Sequence, residues 1–220
     1  HFPEEGDPGT LIIGDVGSAW WEEINQQQTG GESFGWPLYE SYVKKWDFTP
    51  NAHFNYDAPN PLFDQNNCTQ EFFSFENLMR SPKRDEPVLF TNPCNPNQFI
   101  PDSIPTFLHT GPLLAWSNRL WNKPTRAVVG AYDEKGNRRQ VEVQDSLSTV
   151  QSASFDGFSA IPGVFYEGDN FPEKYQGELF IADLSGWMKT LHFDDNDQLV
   201  RIDSFFTIPA KGITDVAVNP

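Results

Sequence analysis

Short apolar stretches separated by turn residues recur in the carboxyl-terminal third of the chain. Four of them, at Gly163–Tyr166, Glu178–Asp183, Trp187–Phe193 and Leu199–Phe206, predict four strands joined by tight turns. Together they span about the 40–45 residues that form one blade in some β-propellers. A fifth strand is predicted at Thr214–Val218.

Two further patterns indicate β-structure elsewhere. Arg126–Tyr132 and Arg138–Val143 flank the turn Asp133–Asn137, a pattern typical of a β-hairpin. Gly9–Gly17 and Gly177–Ser185 share one formula: Gly, a variable residue, Leu, two large apolar residues, a small residue, Asp, an aliphatic residue and a turn residue. The similarity indicates either one blade strand used twice or only the common pattern of a buried strand that ends in an Asp-capped turn.

The middle of the chain has a looser pattern. Residues 51–105 are rich in Asn and Pro, and the 18 Pro and 16 Gly of the whole chain favour turns over long helices. We therefore predict an all-β domain over residues 1–220, with a loop-rich insertion at 51–125 that has little regular structure. One short helix is expected within the insertion, near Phe72–Met79.

Composition excludes several classes of function. The 220 residues include 31 Asp and Glu against 15 Lys and Arg, and the net charge of −16 argues against binding to nucleic acid, which requires a surplus of basic residues. No stretch approaches the roughly 18 apolar residues of a membrane span. Aromatic residues make up 15% of the chain, which indicates a folded protein rather than an acidic disordered one.

The common catalytic motifs are missing from the sequence. The histidines are scattered, without the spacing that brings two imidazoles to one zinc ion. The absence of a Gly-x-Ser-x-Gly elbow, a Gly-x-Gly-x-x-Gly loop and a phosphate loop argues against an α/β hydrolase, a Rossmann dehydrogenase and a nucleotide hydrolase. The four histidines are His1, His53, His109 and His192.

The two cysteines, Cys68 and Cys94, both lie in the irregular segment. They either form a disulfide, which stabilises the loop by roughly 3 kcal/mol through chain entropy, or remain two free buried thiols. A metal site is not expected, because the pair lacks Cys-x-x-Cys spacing. Asn67-Cys68-Thr69 also matches the sequon for N-glycosylation.

The densest group of chemically active residues lies between Gly14 and Pro37. A predicted strand ends at Asp15, two more carboxylates follow at Glu22 and Glu23, and a glycine-flanked aromatic turn comes after them. Carboxylates and accessible backbone carbonyls in one loop suit Ca²⁺. An acidic turn that only caps a sheet accounts for the pattern equally well.

These residues resemble the glucose/sorbosone dehydrogenase family, which includes the soluble pyrroloquinoline quinone (PQQ) sugar dehydrogenases and the related domain of hedgehog-interacting proteins. The resemblance covers residues 9–37 and 155–220. It is carried by Gly14-Asp15-Val16-Gly17, Glu22-Glu23-Ile24-Asn25, Gly30-Gly31 and Phe34-Gly35-Trp36-Pro37, then by Ser159–Gly168, Phe171–Asp183 and Ile213–Pro220.

The resemblance implies a six-bladed β-propeller, of which this chain contains about half the blades. It also implies a periplasmic or extracellular location, PQQ and calcium near the central axis, and oxidation of a sugar such as an aldose at C1. By position, the backbone at Gly17 and Ser18 corresponds to the site of the catalytic calcium. The Glu23 carboxylate and the Phe34 carbonyl correspond to a second, structural calcium site.

The chain also departs from the family pattern. The catalytic histidine and the Arg-Asn pair that holds the quinone are expected before residue 1. Ser185 stands where the family has a quinone-contacting Lys, with Lys189 displaced from that position, and Gly212 and Thr214 replace a pair of Arg. Since the carboxylates of PQQ require such cations, PQQ binding by this chain alone is in question. His109 corresponds to a histidine that the family often carries before a Gly-rich strand.

Two functions and one mode of assembly follow from the sequence. The chain is either part of a PQQ-dependent sugar dehydrogenase-like enzyme, or a non-catalytic propeller that binds a carbohydrate or a protein through aromatic side chains. Half a propeller also leaves sheet edges unpaired, which favours self-association. Tryptophans that either stack on sugars or fill the core are Trp20, Trp21, Trp36, Trp116, Trp121 and Trp187.

Overall fold

The structure is a computed structural model that describes residues 9–18, 20–45, 54–119, 124–208 and 212–217. Strands account for 45% of it and helices for 4%, which confirms the all-β prediction. No helix in the described part of the chain is long and apolar enough to cross a membrane. His1, His53 and Trp121 lie outside the described residues.

In the described part of the chain, the secondary structure consists of short strands, one α-helix of a single turn and a 3-10 helix at Glu173–Tyr175. In chain order, the first elements are β1 (Leu11–Asp15), β2 (Trp21–Gln27), β3 (Tyr39–Glu40), β4 (Val43–Lys44), β5 (Phe54–Pro59), β6 (Phe72–Ser74), α1 (Phe75–Leu78), β7 (Met79–Arg80), β8 (Thr91–Asn92), β9 (Asn95–Phe99) and β10 (Phe107–Leu108). They are followed by β11 (Leu114–Asn118), β12 (Ala127–Tyr132), β13 (Arg138–Glu142), β14 (Asp156–Gly157), β15 (Ala160–Phe165), β16 (Leu179–Asp183), β17 (Trp187–Phe193) and β18 (Leu199–Thr207).

The chain forms two compact units. The first unit contains the described residues of His1–Gly30, Pro112–Ala131 and Gln140–Pro220, and the second unit contains those of Gly31–Gly111 and Tyr132–Arg139. The expected insertion at 51–125 has different bounds from either unit.

The first unit contains two sheets. One has the strand order β1-β2-β11-β12-β13, with β14 parallel to β11, and the other is the antiparallel sheet β15-β16-β17-β18. The four strands predicted near the carboxyl end form the second sheet, and the predicted hairpin is β12–β13, so both predictions are confirmed.

Apolar side chains of both sheets pack into one core in the first unit. Trp116 of β11 lies at its centre, with ring centroids 5.2 Å from Trp187 of β17 and 5.8 Å from Phe155. Ile181 and Leu191 are fully buried in the same cluster. Alternation along β16 and β17 therefore directs one face of the second sheet onto the first.

Three details differ from the sequence prediction. Residues 214–217 form no strand. The similar segments β1 and β16 hold different positions, since β1 pairs only with β2 in the described part of the chain, whereas β16 lies between β15 and β17. β11 runs between β2 and β12, although its residues fall in the expected insertion. Its apolar stretch of four residues, Leu113-Leu114-Ala115-Trp116, is short and lies within the segment expected to be irregular, so the pattern does not predict a strand there.

The second unit is built from two-stranded pairs, antiparallel β3–β4, β5–β6 and β8–β9 and parallel β7–β10. Helix α1 confirms the expected short helix. The Ser74 hydroxyl accepts a hydrogen bond from the Asn77 backbone N–H, and the Asn77 side chain accepts one from the Ser74 N–H. This reciprocal capping box stabilises a helix of only one turn.

Asparagine side chains and one disulfide organise the loops of the second unit. The side-chain oxygens of Asn60, Asn92 and Asn95 each accept a hydrogen bond from the backbone N–H two residues later, so they form Asx turns that take the place of regular structure. The Asn92 amide also donates to the Asn60 oxygen at 2.7 Å. Cys68 and Cys94 are joined in a disulfide across 26 residues.

Candidate functional site

The hairpin β1–β2 places three polar side chains on one face of the first sheet. Asp15 lies directly opposite Glu23 in the strand register, and Asn25 shares the face of Glu23 because it is two residues further along β2. The Asn25 amide nitrogen lies 3.4 Å from the Glu23 carboxylate. Glu23 and Asn25 are both buried, so their oxygens form a partly enclosed polar cluster at the end of β1.

Asn25 has one buried acceptor that is not used. Its side-chain oxygen makes no hydrogen bond to any described residue, although buried carbonyl oxygens are nearly always paired. The described residues contain no group of three His, Cys, Asp or Glu side chains placed to hold a metal. A calcium ion here would therefore need amide and backbone oxygens beside the carboxylates, and Ca²⁺ accepts such ligands.

The predicted calcium ligands do not all lie in one unit. Gly17 and Ser18 follow β1 and Glu23 lies on β2, so these three belong to the first unit, whereas Phe34 belongs to the second. The Gly17 backbone N–H lies 3.4 Å from the Glu22 carboxylate. The loop after β1 is thus connected to β2 by Glu22, while Glu23 points to the opposite face.

Glu22 is fully buried on the core face of β2 and lies in a set of hydrogen bonds that spans both sheets. One carboxylate oxygen accepts from the Asn118 amide at 2.7 Å, and the other accepts from the Ala160 backbone N–H at 3.0 Å. Burial raises the pKa of Glu22 to about 7, and the Asp183 charge adds to the increase, whereas the hydrogen bonds act to lower it. The side chain can therefore hold or release a proton near neutral pH.

Asp183, at the end of β16, anchors the same region. Its carboxylate accepts hydrogen bonds from the Trp116 indole N–H and from three backbone N–H groups, those of Phe158, Ser159 and Ser185. Four donors satisfy a fully buried carboxylate and fix the loops that follow β14 and β16. These contacts indicate a structural role for Asp183.

The tryptophans divide between the core and the surface. Trp21, Trp116 and Trp187 are buried, whereas Trp20 is 39% exposed and Trp36 is 56% exposed. Trp36, in the second unit, has the Lys45 ammonium 4.9 Å from its ring centroid. Among the described tryptophans, Trp20 and Trp36 are the two with a large exposed fraction, which stacking on a sugar requires.

His109 is enclosed in the second unit. Its ring stacks on Tyr39 with centroids 4.0 Å apart, and neither ring nitrogen makes a hydrogen bond of normal geometry to the described residues. Gly35 has a φ of +96°, and a Cβ atom there would come within 2.7 Å of the His109 ring. Burial, assisted by Arg138, lowers the pKa of His109 to about 4, so the ring is neutral at pH 7 and is not accessible as a catalytic base.

Sequence reasoning did not single out Asn118 or assign Glu22 and Asp183 to one network. The bonds that join Trp116 to Asp183, and Asn118 and Ala160 to Glu22, connect residues 67, 96 and 138 positions apart along the chain, so no local pattern reveals them. Lys189 was noted only as displaced from the family position. A usable signal was present, because Lys189 falls in phase with Trp187, Leu191 and Phe193, where alternation predicts an apolar side chain.

Comparison with known proteins identifies no relative: no family model, no curated protein and no solved structure matches this chain.

Proposed function

We propose that the first unit is part of a β-propeller of the glucose/sorbosone dehydrogenase type, and that it binds calcium through the hairpin β1–β2. In this proposal the two sheets are neighbouring blades of a six-bladed ring, and the whole protein is an exported enzyme that oxidises an aldose at C1. The observation that carries the proposal is the position of the motif Gly14-Asp15-Val16-Gly17, which spans the end of β1 and the start of the next loop.

The approach of the two sheets supports the blade arrangement. β1 is an edge strand of the first sheet and lies beside β15, an edge strand of the second. A Cβ atom on Gly14 would come within 2.5 Å of the Pro162 side chain, so glycine permits this close contact. Propellers arrange their blades radially around a central channel, and the first strands of neighbouring blades then lie side by side, as β1 and β15 do.

The other face of the second sheet gives a second line of support. A hollow of about 330 Å³ on this face is lined mainly by apolar side chains, including Val164, Phe180, Met188 and Phe206 of the sheet and Val216 from the chain beyond it. Residues after β18 thus run along the exposed face. A following blade of a propeller would begin in this position and cover the same apolar surface.

The calcium part of the proposal rests on the oxygen atoms of β1 and β2. Asp15 and Glu23 are cross-strand neighbours, and the unused, buried Asn25 oxygen lies on the same face. In this proposal, backbone carbonyls of Gly17 and Ser18, in the loop after β1, would add to these side chains the hard oxygen donors that Ca²⁺ prefers. Both carboxylates would then supply charged oxygen ligands to the ion.

The described residues do not fit PQQ. The positions that should carry cations are occupied by Ser185, Gly212 and Thr214, none of which is charged. Lys189 lies on β17, in register with Ile181, and supplies only a single cation. A quinone with several carboxylates requires arginine or lysine partners, so we assign no step of the reaction to this chain; its proposed role is to hold calcium and to form part of the ring.

A second function is favoured by the same lack of cations. A propeller that binds calcium but no quinone would be a non-catalytic module, and its exposed aromatic side chains would recognise a carbohydrate or a protein. Trp20 lies in the loop after β1 and is exposed, so it is placed to stack on a sugar near the proposed calcium. The two functions differ in whether turnover occurs.

The deciding experiment supplies Ca²⁺ and PQQ to this 220-residue chain and to a longer natural protein that contains it, and then measures dye-linked oxidation of glucose. Sugar-dependent dye reduction by the longer protein, with no quinone binding by the chain alone, supports the enzyme. Sugar binding without turnover, reduced in Trp20→Ala but not in Trp36→Ala, supports the binding module. Failure of both proteins to bind calcium, quinone or sugar contradicts both functions.

A further inference from the structure

Lys189 is a buried cation on an otherwise apolar strand face. It lies on β17 between Trp187 and Leu191, which pack in the core of the first unit, and only 8% of its surface is exposed. Its ammonium nitrogen is 4.4 Å from the centroid of the Phe155 ring and 5.5 Å from that of Trp187. It also donates a hydrogen bond to the Ser204 hydroxyl at 3.1 Å, directly across the strand pair.

No carboxylate in the described part of the chain forms an ion pair with Lys189. Burial lowers the pKa of Lys189, and the nearby charge of Asp203 acts in the opposite direction. Lys45, the other buried lysine, has Glu40 at 3.1 Å. The two buried lysines therefore differ, because Lys45 has a carboxylate partner and Lys189 has none among the described residues. A buried charge without such a partner is costly.

Lys189 lines a polar pocket of about 370 Å³ within the first unit, which is near the lower end of the size range of small-molecule sites. Other polar residues that line it are Arg119, Thr125, Ser154, Asp156, Ser185, Ser204 and Thr207. Asp156 accepts hydrogen bonds from Arg119 and from the Thr125 hydroxyl. The lining therefore carries one more cation than carboxylates, and the additional cation is Lys189.

Ser185 provides a second, independent observation. Its hydroxyl oxygen is buried and makes no hydrogen bond to the described residues, although the residue lines the pocket. A buried hydroxyl normally finds a partner. An unused hydroxyl and an ammonium without a counterion in one pocket both indicate a missing polar ligand.

We propose that this pocket binds a small hydroxy-carboxylate, with the ligand carboxylate paired to the Lys189 ammonium. The ligand hydroxyls would bond to the Ser185 hydroxyl and to the Arg119–Asp156 pair. A carboxylate matches the single unpaired cation, and neighbouring hydroxyls match the ring of serine and threonine side chains. The site shares no residue with the calcium cluster on β1 and β2, so it stands independently of the proposed function.

The test is isothermal titration of the 220-residue chain with gluconate, using glucose as the neutral counterpart and inorganic phosphate as the plain oxyanion. We expect gluconate to bind, glucose to bind at least about tenfold more weakly, and Lys189→Met to weaken gluconate binding by about tenfold or more. The matched control Lys174→Met, at an exposed residue of the same unit, should leave the affinity unchanged.

Ser185→Ala keeps the proposal testable if Lys189→Met does not fold. We expect it to fold normally and to bind gluconate about three- to tenfold more weakly, since it removes one hydrogen bond to the ligand. The proposal is overturned if gluconate does not bind, if it binds equally well to both variants and to the wild type, or if phosphate binds as tightly as gluconate, which would indicate a site for oxyanions in general.

Discussion

The indole N–H of Trp116 donates a hydrogen bond to the carboxylate of Asp183 at 2.9 Å. The two residues lie on β11 and β16, so this bond joins the two sheets of the first unit inside their common core. The same carboxylate accepts three backbone N–H groups. Each of these four buried donors depends on the Asp183 carboxylate as its acceptor, so loss of an acceptor oxygen would leave buried N–H groups without a hydrogen bond.

Replacing Asp183 with Asn should destabilise the first unit by about 2–3 kcal/mol, because an amide has one acceptor oxygen and its NH₂ group faces N–H donors. The change is measured as the free energy of unfolding in urea, followed by tryptophan fluorescence. Asp195→Asn, at the exposed turn between β17 and β18, is the control and should change it by less than about 0.5 kcal/mol. Equal effects of the two substitutions would refute the structural role of Asp183.

Glu22 should make the stability of the first unit fall as pH rises. Its pKa is raised from 4.5 to about 7 in the folded state, so the folded protein holds this proton more tightly than the unfolded chain. The contribution of this proton to the free energy of unfolding is complete below pH 4.5 and is lost by about pH 7. It amounts to roughly 3 kcal/mol at most.

The Glu22→Gln variant removes this titration. The unfolding free energy of the variant minus that of the wild type, measured from acid to neutral pH, should therefore increase as pH rises. A difference that stays constant between pH 4.5 and 7 would show that Glu22 is ionised throughout.

His109 should have the opposite effect on the second unit. Its pKa is lowered from 6.5 to about 4, so its contribution to stability is present above pH 6.5 and is lost as pH falls to about 4. His109→Phe keeps an aromatic ring against Tyr39 and should reduce this loss, measured by hydrogen exchange of amides in the second unit. His192→Phe, in the first unit, should leave that exchange unchanged, and an NMR titration of His109 with a normal midpoint near 6.5 would contradict the assignment.

The disulfide should stabilise the second unit by roughly 3.5 kcal/mol, the chain-entropy value for a loop of its length. The double substitution Cys68→Ser and Cys94→Ser is expected to lower the unfolding free energy of that unit by this amount. Amide exchange separates the two units, and amides of β16 and β17 in the first unit serve as the internal control. Unchanged exchange near Asn60 and Asn92, which bond beside the disulfide, would exclude a stabilising role.

The sequence predicted the strands, the helix and the hairpin that depend on neighbouring residues along the chain. β15 to β18 follow from apolar stretches and turns, α1 lies where a short helix is expected, and the β12–β13 hairpin follows from the Asp133–Asn137 turn, in which Asp133 accepts the backbone N–H groups of Lys135 and Asn137. The pattern did not predict β11, because it is held by its neighbours β2 and β12 rather than by a long apolar stretch.

The polar sites depend on tertiary contacts and could be predicted only in part. The motif near Asp15 identified Glu23, but not the unused Asn25 oxygen beside it. Glu22 meets Asn118 and Ala160 only because two sheets pack together, and sequence separation gives no sign of that contact. Lys189 is the exception, since its place in an apolar alternation predicts burial of a charge from sequence alone.

Calcium binding to the β1–β2 hairpin tests the central claim most directly. The chelator-treated chain is titrated with Ca²⁺ by calorimetry, beside Glu23→Gln and Asn25→Ala and the control Glu134→Gln at the exposed β12–β13 turn. The account predicts one calcium ion per wild-type and control chain, binding abolished by Glu23→Gln and weakened about tenfold or more by Asn25→Ala. Absence of calcium binding to the wild-type chain, or binding that neither substitution on β2 changes, would contradict it.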